Sequence, residues 1–93
     1  MILEVAVLNI KKGRSEAFEK NFQEASLILS LMKGYLSHDL KKSTEVDDRY
    51  ILFVNWRTIE DHKIGFRKSN EYKKWKQLLH HFYEPFPTVE YYK

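Results

Sequence analysis

A chain of 93 residues, 43% hydrophobic and 15% aromatic, makes one domain spanning residues 1–93 that buries only about 60 to 65% of its unfolded surface, so extra burial would help it. It has no cysteine, which excludes disulfides, thiolate metal sites and cysteine nucleophiles and fits a reducing compartment. The charge of +3 forms no dense basic stripe, no apolar run approaches the roughly 20 residues of a membrane span, and Met1–Val5 lacks the basic start of a signal peptide, so a cytoplasmic protein without nucleic-acid or membrane partners is expected.

Met1 to Ile10 reads as a strand in which Leu3, Val5 and Val7 alternate with Glu4, Ala6 and Leu8, giving one strongly apolar face and one mixed face. Lys11-Lys12-Gly13 breaks it. Ser15 is a suitable N-cap, with Glu16 in the first turn where the helix dipole favours negative charge. The helix it opens lines up Phe18, Phe22, Ala25 and Leu29, with Lys33 in the last turn and Gly34 at the C′ position. Tyr35 to Lys42 predicts a strand with Leu36, His38 and Leu40 on one face and Tyr35, Ser37, Asp39 and Lys41 on the other. The polar Ser43–Arg49 stretch, holding Asp47-Asp48, suits a hairpin connection.

Tyr50 to Arg57 is the central strand. Thr58 caps the short helix after it, with Asp61 three residues on in a shortened capping box, and Ile59, His62 and Phe66 form the helix's apolar side. Ser69 caps a further helix whose stripe is Tyr72, Trp75, Leu79 and Phe82, and Pro85 and Pro87 prevent its continuation. Thr88 to Tyr92 is long enough for a last strand.

The order β-α-β-β-α-α-β matches a split βαβ plan, an α+β fold of ferredoxin-like type with a four-stranded antiparallel sheet and its helices on one face. The central strand has Tyr50, Leu52, Val54 and Trp56 on one face and Ile51 and Phe53 on the other, so both faces need cover and the chain has helix for only one. The simplest remedy is a second copy packed sheet to sheet, a homodimer.

The opening strand LEVAVLNIKKG, the W-R-T-x-E-D-H-x-x-x-F run from Trp56 to Phe66, the S-x-E-Y-x-x-W segment from Ser69 to Trp75 and the ending HHFYEPFPTVEYY together resemble the antibiotic biosynthesis monooxygenase family over essentially the whole chain. The resemblance implies a dimeric α+β barrel with a pocket between sheet and helices. It also implies oxidation of a small phenol or quinol by dioxygen without a bound cofactor, with a non-catalytic ligand-binding dimer as the alternative. A haem-degrading branch is the third possibility. Its asparagine, tryptophan and axial histidine fall by spacing at Ala6, Phe66 and Lys76, none of which matches, although His80 or His81 could serve if the register slips by a turn.

Within that frame His62 is the candidate catalytic base, since neutral imidazole can take a phenolic proton. Asn55 and Trp56 end the central strand on opposite faces. One of them should face the helices, Trp56 to stack on an aromatic substrate or Asn55 to donate to an oxyanion. Phe66, Tyr72 and Trp75 could line a flat aromatic pocket. Each of these residues also has a plain packing role open to it. His38, His80 and His81 are expected in surface or interface roles. No HExxH, paired-carboxylate spacing or Gly-rich phosphate loop occurs, which argues against zinc hydrolysis and nucleotide binding.

Overall fold

The computed structural model describes all 93 residues. Strands β1 (Ile2–Asn9), β2 (Tyr35–Lys42), β3 (Arg49–Trp56) and β4 (Val89–Tyr92) alternate with helices α1 (Ser15–Ser30) and α2 (Asn70–Leu79). A π-helical segment (Asp61–Phe66) precedes α2, and a 3-10 turn (His80–Phe82) follows it. The sheet is antiparallel throughout and ordered β2-β3-β1-β4, the ferredoxin-like arrangement expected from the element order.

The two-residue period of the central strands decides what is inside. Ala6, Leu8, Leu52, Val54 and Trp56 point to the helices and are buried against Phe18, Phe22 and Leu29 of α1 and Trp75 and Leu79 of α2. Each such side chain contributes about 1.5–3 kcal/mol on full burial. The mixed face of β1 is therefore the inner one, and it carries Glu4, only 6% exposed, into the core. The strongly apolar face is outermost: Leu3, Val5, Ile51 and Phe53 are half-buried and Val7 is exposed, while every helix lies on the other side.

Local structure departs from the sequence reading at four places. Ser15 does not cap α1. Arg14 holds that position, and the Ser15 hydroxyl donates instead to Asp48 Oδ1 at 2.5 Å, tying the helix start to the β2–β3 connection. At its other end α1 stops at Ser30, and Gly34 serves the turn into β2 with φ +85°. A register shift between Tyr35 and Ser37 then leaves Leu36 exposed and puts Tyr35 on the inner face with His38 and Leu40. Lastly, α2 ends at Leu79 rather than running to the prolines, and Phe82 reaches the core from the 3-10 turn.

The caps at Thr58 and Ser69 form as expected. Thr58 Oγ1 accepts from Asp61 N at 3.2 Å and donates to the Asp61 carboxylate at 3.0 Å, and Ser69 Oγ accepts from Tyr72 N at 3.1 Å. Between them the chain widens into the π-helical turn, with Arg67 N donating to His62 O at 3.2 Å, and both His62 and Phe66 end up buried on the sheet side.

A Cβ at Gly34 would overlap the Asp61 side chain as well as straining a left-handed backbone, whereas a Cβ at Gly13 (φ +77°) would meet nothing. Gly13→Ala is expected to cost about 1 kcal/mol and Gly34→Ala roughly 2 kcal/mol or more, read as the shift in urea midpoint.

Candidate functional site

Between the sheet and the helices lies a cavity of about 110 Å³. Glu4, Ala6, Leu8, Leu52 and Val54 from β1 and β3 form its floor. The π-helical segment contributes His62 and Phe66, with Arg67 just beyond, and α2 and the turn after it contribute Tyr72, Trp75 and His80. Tyr83, Phe86, Pro87 and Val89 close the outer side. The volume is below the roughly 150 Å³ that suffices for benzene in a dry protein cavity, so a single ring requires only a small outward movement, and Phe86, 61% exposed, is the wall freest to give.

The polar heart of the cavity is a glutamate. Trp56 Nε1–H donates to Glu4 Oε1 at 2.8 Å, and His62 Nε2 lies 3.4 Å from the same oxygen. The His62 ring stacks on Trp56 with centroids 5.3 Å apart and planes inclined by 29°. Its Nδ1 lies 2.5 Å from the Tyr91 hydroxyl on β4. The other Glu4 oxygen has no protein partner, and no buried side-chain polar atom is left unsatisfied, so that oxygen opens onto the cavity.

Burial pushes the Glu4 carboxyl from 4.5 up to about 7, against the opposing pull of the Trp56 hydrogen bond and the Arg67 charge. Burial also lowers His62 from 6.5 to about 4, and the positive charges of Arg67 and Lys63 add to it. Both shifts favour neutral forms, and 3.4 Å is too long for a charge-assisted hydrogen bond, so below about pH 7 the pair is a carboxylic acid beside a neutral imidazole and above it the carboxyl gives up its proton. Burial raises the Tyr91 phenol too, so its O–H stays intact beside His62 Nδ1. Where that phenol donates to Nδ1, the imidazole proton sits on Nε2, facing Glu4 Oε1. In that arrangement Oε1 accepts from both Trp56 and His62, and the acid proton of Glu4 belongs on the oxygen that faces the cavity.

The structure brings together His62, Phe66, Tyr72 and Trp75 around one space. Trp56, fully buried, is the strand-end residue that faces the helices; it lies behind His62 rather than on the cavity surface. Asn55 points to the opposite face, where its Nδ2 donates to Ser37 Oγ at 3.0 Å, so it does not reach the cavity. His80, expected at the surface, lines the cavity because the chain leaves α2 for the 3-10 turn at that residue, and it packs edge-on to Phe86 at 4.8 Å. His38 is hydrogen-bonded to the Tyr35 hydroxyl at 2.7 Å, and His81 is exposed beside Phe82.

At about 110 Å³ the cavity is far smaller than a porphyrin. Of the positions that spacing offered for haem degradation, Ala6 and Phe66 line the cavity without a metal-ligating atom and Lys76 lies over the Tyr72 ring, while His80, the other candidate, does line it. No three metal-ligating side chains come together elsewhere.

The two shifts in the buried pair act oppositely on stability. Folded Glu4 keeps a proton that the unfolded chain releases, so its contribution falls as pH rises from 4.5 to about 7. Folded His62 refuses a proton that the unfolded chain takes, so its contribution grows as pH rises from about 4 to 6.5. In the wild type these nearly cancel. Relative to it, Glu4→Gln is expected to gain roughly 3 kcal/mol as pH rises across its window and His62→Gln to lose roughly 3 kcal/mol across its own, measured by urea unfolding at stepped pH.

Comparison with known proteins places the chain. It is 52% identical over 93 residues to the uncharacterized protein YczJ of Bacillus subtilis, covering 100% of this chain and 98% of that one. A solved Bordetella bronchiseptica structure, provisionally named an antibiotic biosynthesis monooxygenase, superposes with a TM-score of 0.94 at 28% identity, covering 99% of this chain and 94% of that chain. SnoaB from Streptomyces nogalater, a cofactor-independent oxygenase, shares the fold with a TM-score of 0.85 at 13% identity, over 99% of this chain and 90% of that chain. The family model described as antibiotic biosynthesis monooxygenase matches residues 1–78. With most of its length inside that match, the chain belongs to the antibiotic biosynthesis monooxygenase family.

Proposed function

We propose that the protein is a cofactor-independent monooxygenase that oxidises a small phenol or quinol with dioxygen. The observation that carries this reading is the Glu4–His62–Tyr91 chain of groups ending in a free carboxyl oxygen inside an aromatic-lined cavity. A phenol reacts with dioxygen readily only as its anion, so the protein's first task is to take a proton. A base poised near 7 suits that task, and Glu4 is so poised. His62, lowered to about 4, is too weak to do it alone and serves as the neutral group that orients Glu4. The phenolate passes an electron to dioxygen, the two recombine at a ring carbon, and loss of water leaves a quinone. One phenol and one dioxygen thus yield one quinone and one water, with the substrate as the reductant.

Cavity size favours one ring over several. Oxygen uptake with single-ring phenols and hydroquinones should exceed that with anthrones, and its rate should climb with pH through about 7. Glu4→Gln should lower kcat by about 100-fold or more and remove that climb, and His62→Ala should cost about tenfold by loosening Glu4. Uptake unchanged in Glu4→Gln would sink the reading.

A second reading, a non-catalytic small-ligand carrier in the same cavity, draws on the fact that both His62 nitrogens already face protein groups. A ligand co-purifying in native mass spectrometry, together with no oxygen uptake on any phenol, would favour it.

The functional unit of this proposal is a cytoplasmic homodimer. Leu3, Val5, Val7, Ile51 and Phe53 form an apolar outer face that a second sheet would cover. Sedimentation at micromolar concentration should give a dimer, and Phe53→Glu should give a monomer.

A further inference from the structure

The rim of the cavity carries charge that nothing in the chain neutralises. Arg67 lines the cavity with an exposed side chain and takes no part in either short ion contact of the chain, which are Lys42–Glu19 and His62–Glu4. Its side chain makes no hydrogen bond within the protein, although its charge is felt by Glu4, His62, Tyr72 and Tyr91 together. Two lysines outside the cavity lining each lie over an aromatic face: Lys63 Nζ is 5.2 Å from the centroid of the Tyr91 ring, and Lys76 Nζ is 5.6 Å from that of Tyr72. Neither lysine pairs with a carboxylate. The one carboxyl in the wall, Glu4, sits on the floor and is held by Trp56.

Positive groups around an apolar mouth concentrate anions there, because low-dielectric walls focus the field. A guanidinium adds shape to charge: its planar fork meets a carboxylate or phenolate oxygen with directed hydrogen bonds. A neutral ring would fill the cavity and leave the Arg67 guanidinium, the one cation in its lining, without a partner. We propose that the ligand of this site is an aromatic anion, its ring in the cavity and its anionic oxygen on Arg67. This rests on the cavity being the binding site and deepens the proposed function by naming the charge of the substrate. The oxygen can belong to a ring carboxylate or to the substrate's own ionised phenol; in either case the anion also faces Glu4 and His80 across the cavity.

The test is binding, run without dioxygen so that turnover plays no part. By calorimetry or tryptophan fluorescence, benzoate should bind about tenfold or more tightly than benzamide, which has the same shape without the charge, and added salt should narrow the gap. In Arg67→Gln the preference should vanish, and in Arg67→Lys part of it should remain. The phenolate arm uses 4-nitrophenol, whose anion is coloured: bound to the wild type it should ionise at lower pH than in water, and in Arg67→Gln that displacement should disappear. A positive result in the first arm alone assigns a ring carboxylate, and one in the second alone assigns the phenolate. Equal behaviour of wild type and Arg67→Gln in both arms, or no binding of any probe at millimolar concentration, overturns the proposal. An anion preference without oxygen uptake on any phenol would defeat the monooxygenase reading and leave this one standing.

Discussion

The hydrogen bond from the Trp56 indole to Glu4 is the interaction on which the interior depends. It crosses from the end of β3 to the start of β1, whose pairing sets Ile2 opposite Trp56 and Glu4 opposite Val54. Burying a carboxyl without a partner costs several kcal/mol. The indole meets part of that cost at one oxygen, and the acid form meets more by discarding the charge. What remains is a carboxyl oxygen with no assigned duty, in a space bounded by aromatic rings. Trp56 in turn supplies the flat surface on which His62 lies, so one fully buried side chain fixes both members of the pair.

Much of the architecture was legible because the central strand and α1 announce themselves by period. Tyr50 to Trp56 has two apolar faces, and Phe18, Phe22, Ala25 and Leu29 form a stripe that no strand would show. His62 was legible as well, lying four residues from Phe66 on the covered side of a short helix. Glu4 was not. In a strand that alternates, the face with a glutamate looks like the wet one, and only the packing of helices on Ala6 and Leu8 shows that it is dry. His80 escaped for another reason. Helical spacing put it on a flank, and the chain abandons that spacing one residue after Leu79. The bulge at Leu36 and the exchange of Ser15 for Arg14 as cap were likewise decided by tertiary partners, Trp56 in one case and Asp48 in the other.

The family match holds most of the chemistry, since Glu4, Trp56, His62 and Arg67 all lie within residues 1–78. Solved relatives at 13% and 28% identity keep the fold closely, so the sheet and its helices tolerate nearly complete replacement of side chains. Residues 1–78 match the family model, whereas Tyr83, Phe86, Pro87 and Tyr91 lie beyond it. The floor and one wall of the cavity thus lie within the matched residues. The outer wall and the partner of His62 belong to the chain's final segment.

That final segment is held to the body by few bonds. β4 pairs with β1 over four residues only, at the edge of the sheet, and it carries both Val89 at the cavity wall and the Tyr91 that orients His62. Short edge strands are among the first elements to open locally. An excursion that lifts β4 would uncover the Val89 side of the cavity and, in the same movement, part Tyr91 from His62. By that route, unlike one past Phe86, entry and readiness would exclude each other, since the strand that closes the cavity also carries the hydroxyl that orients His62.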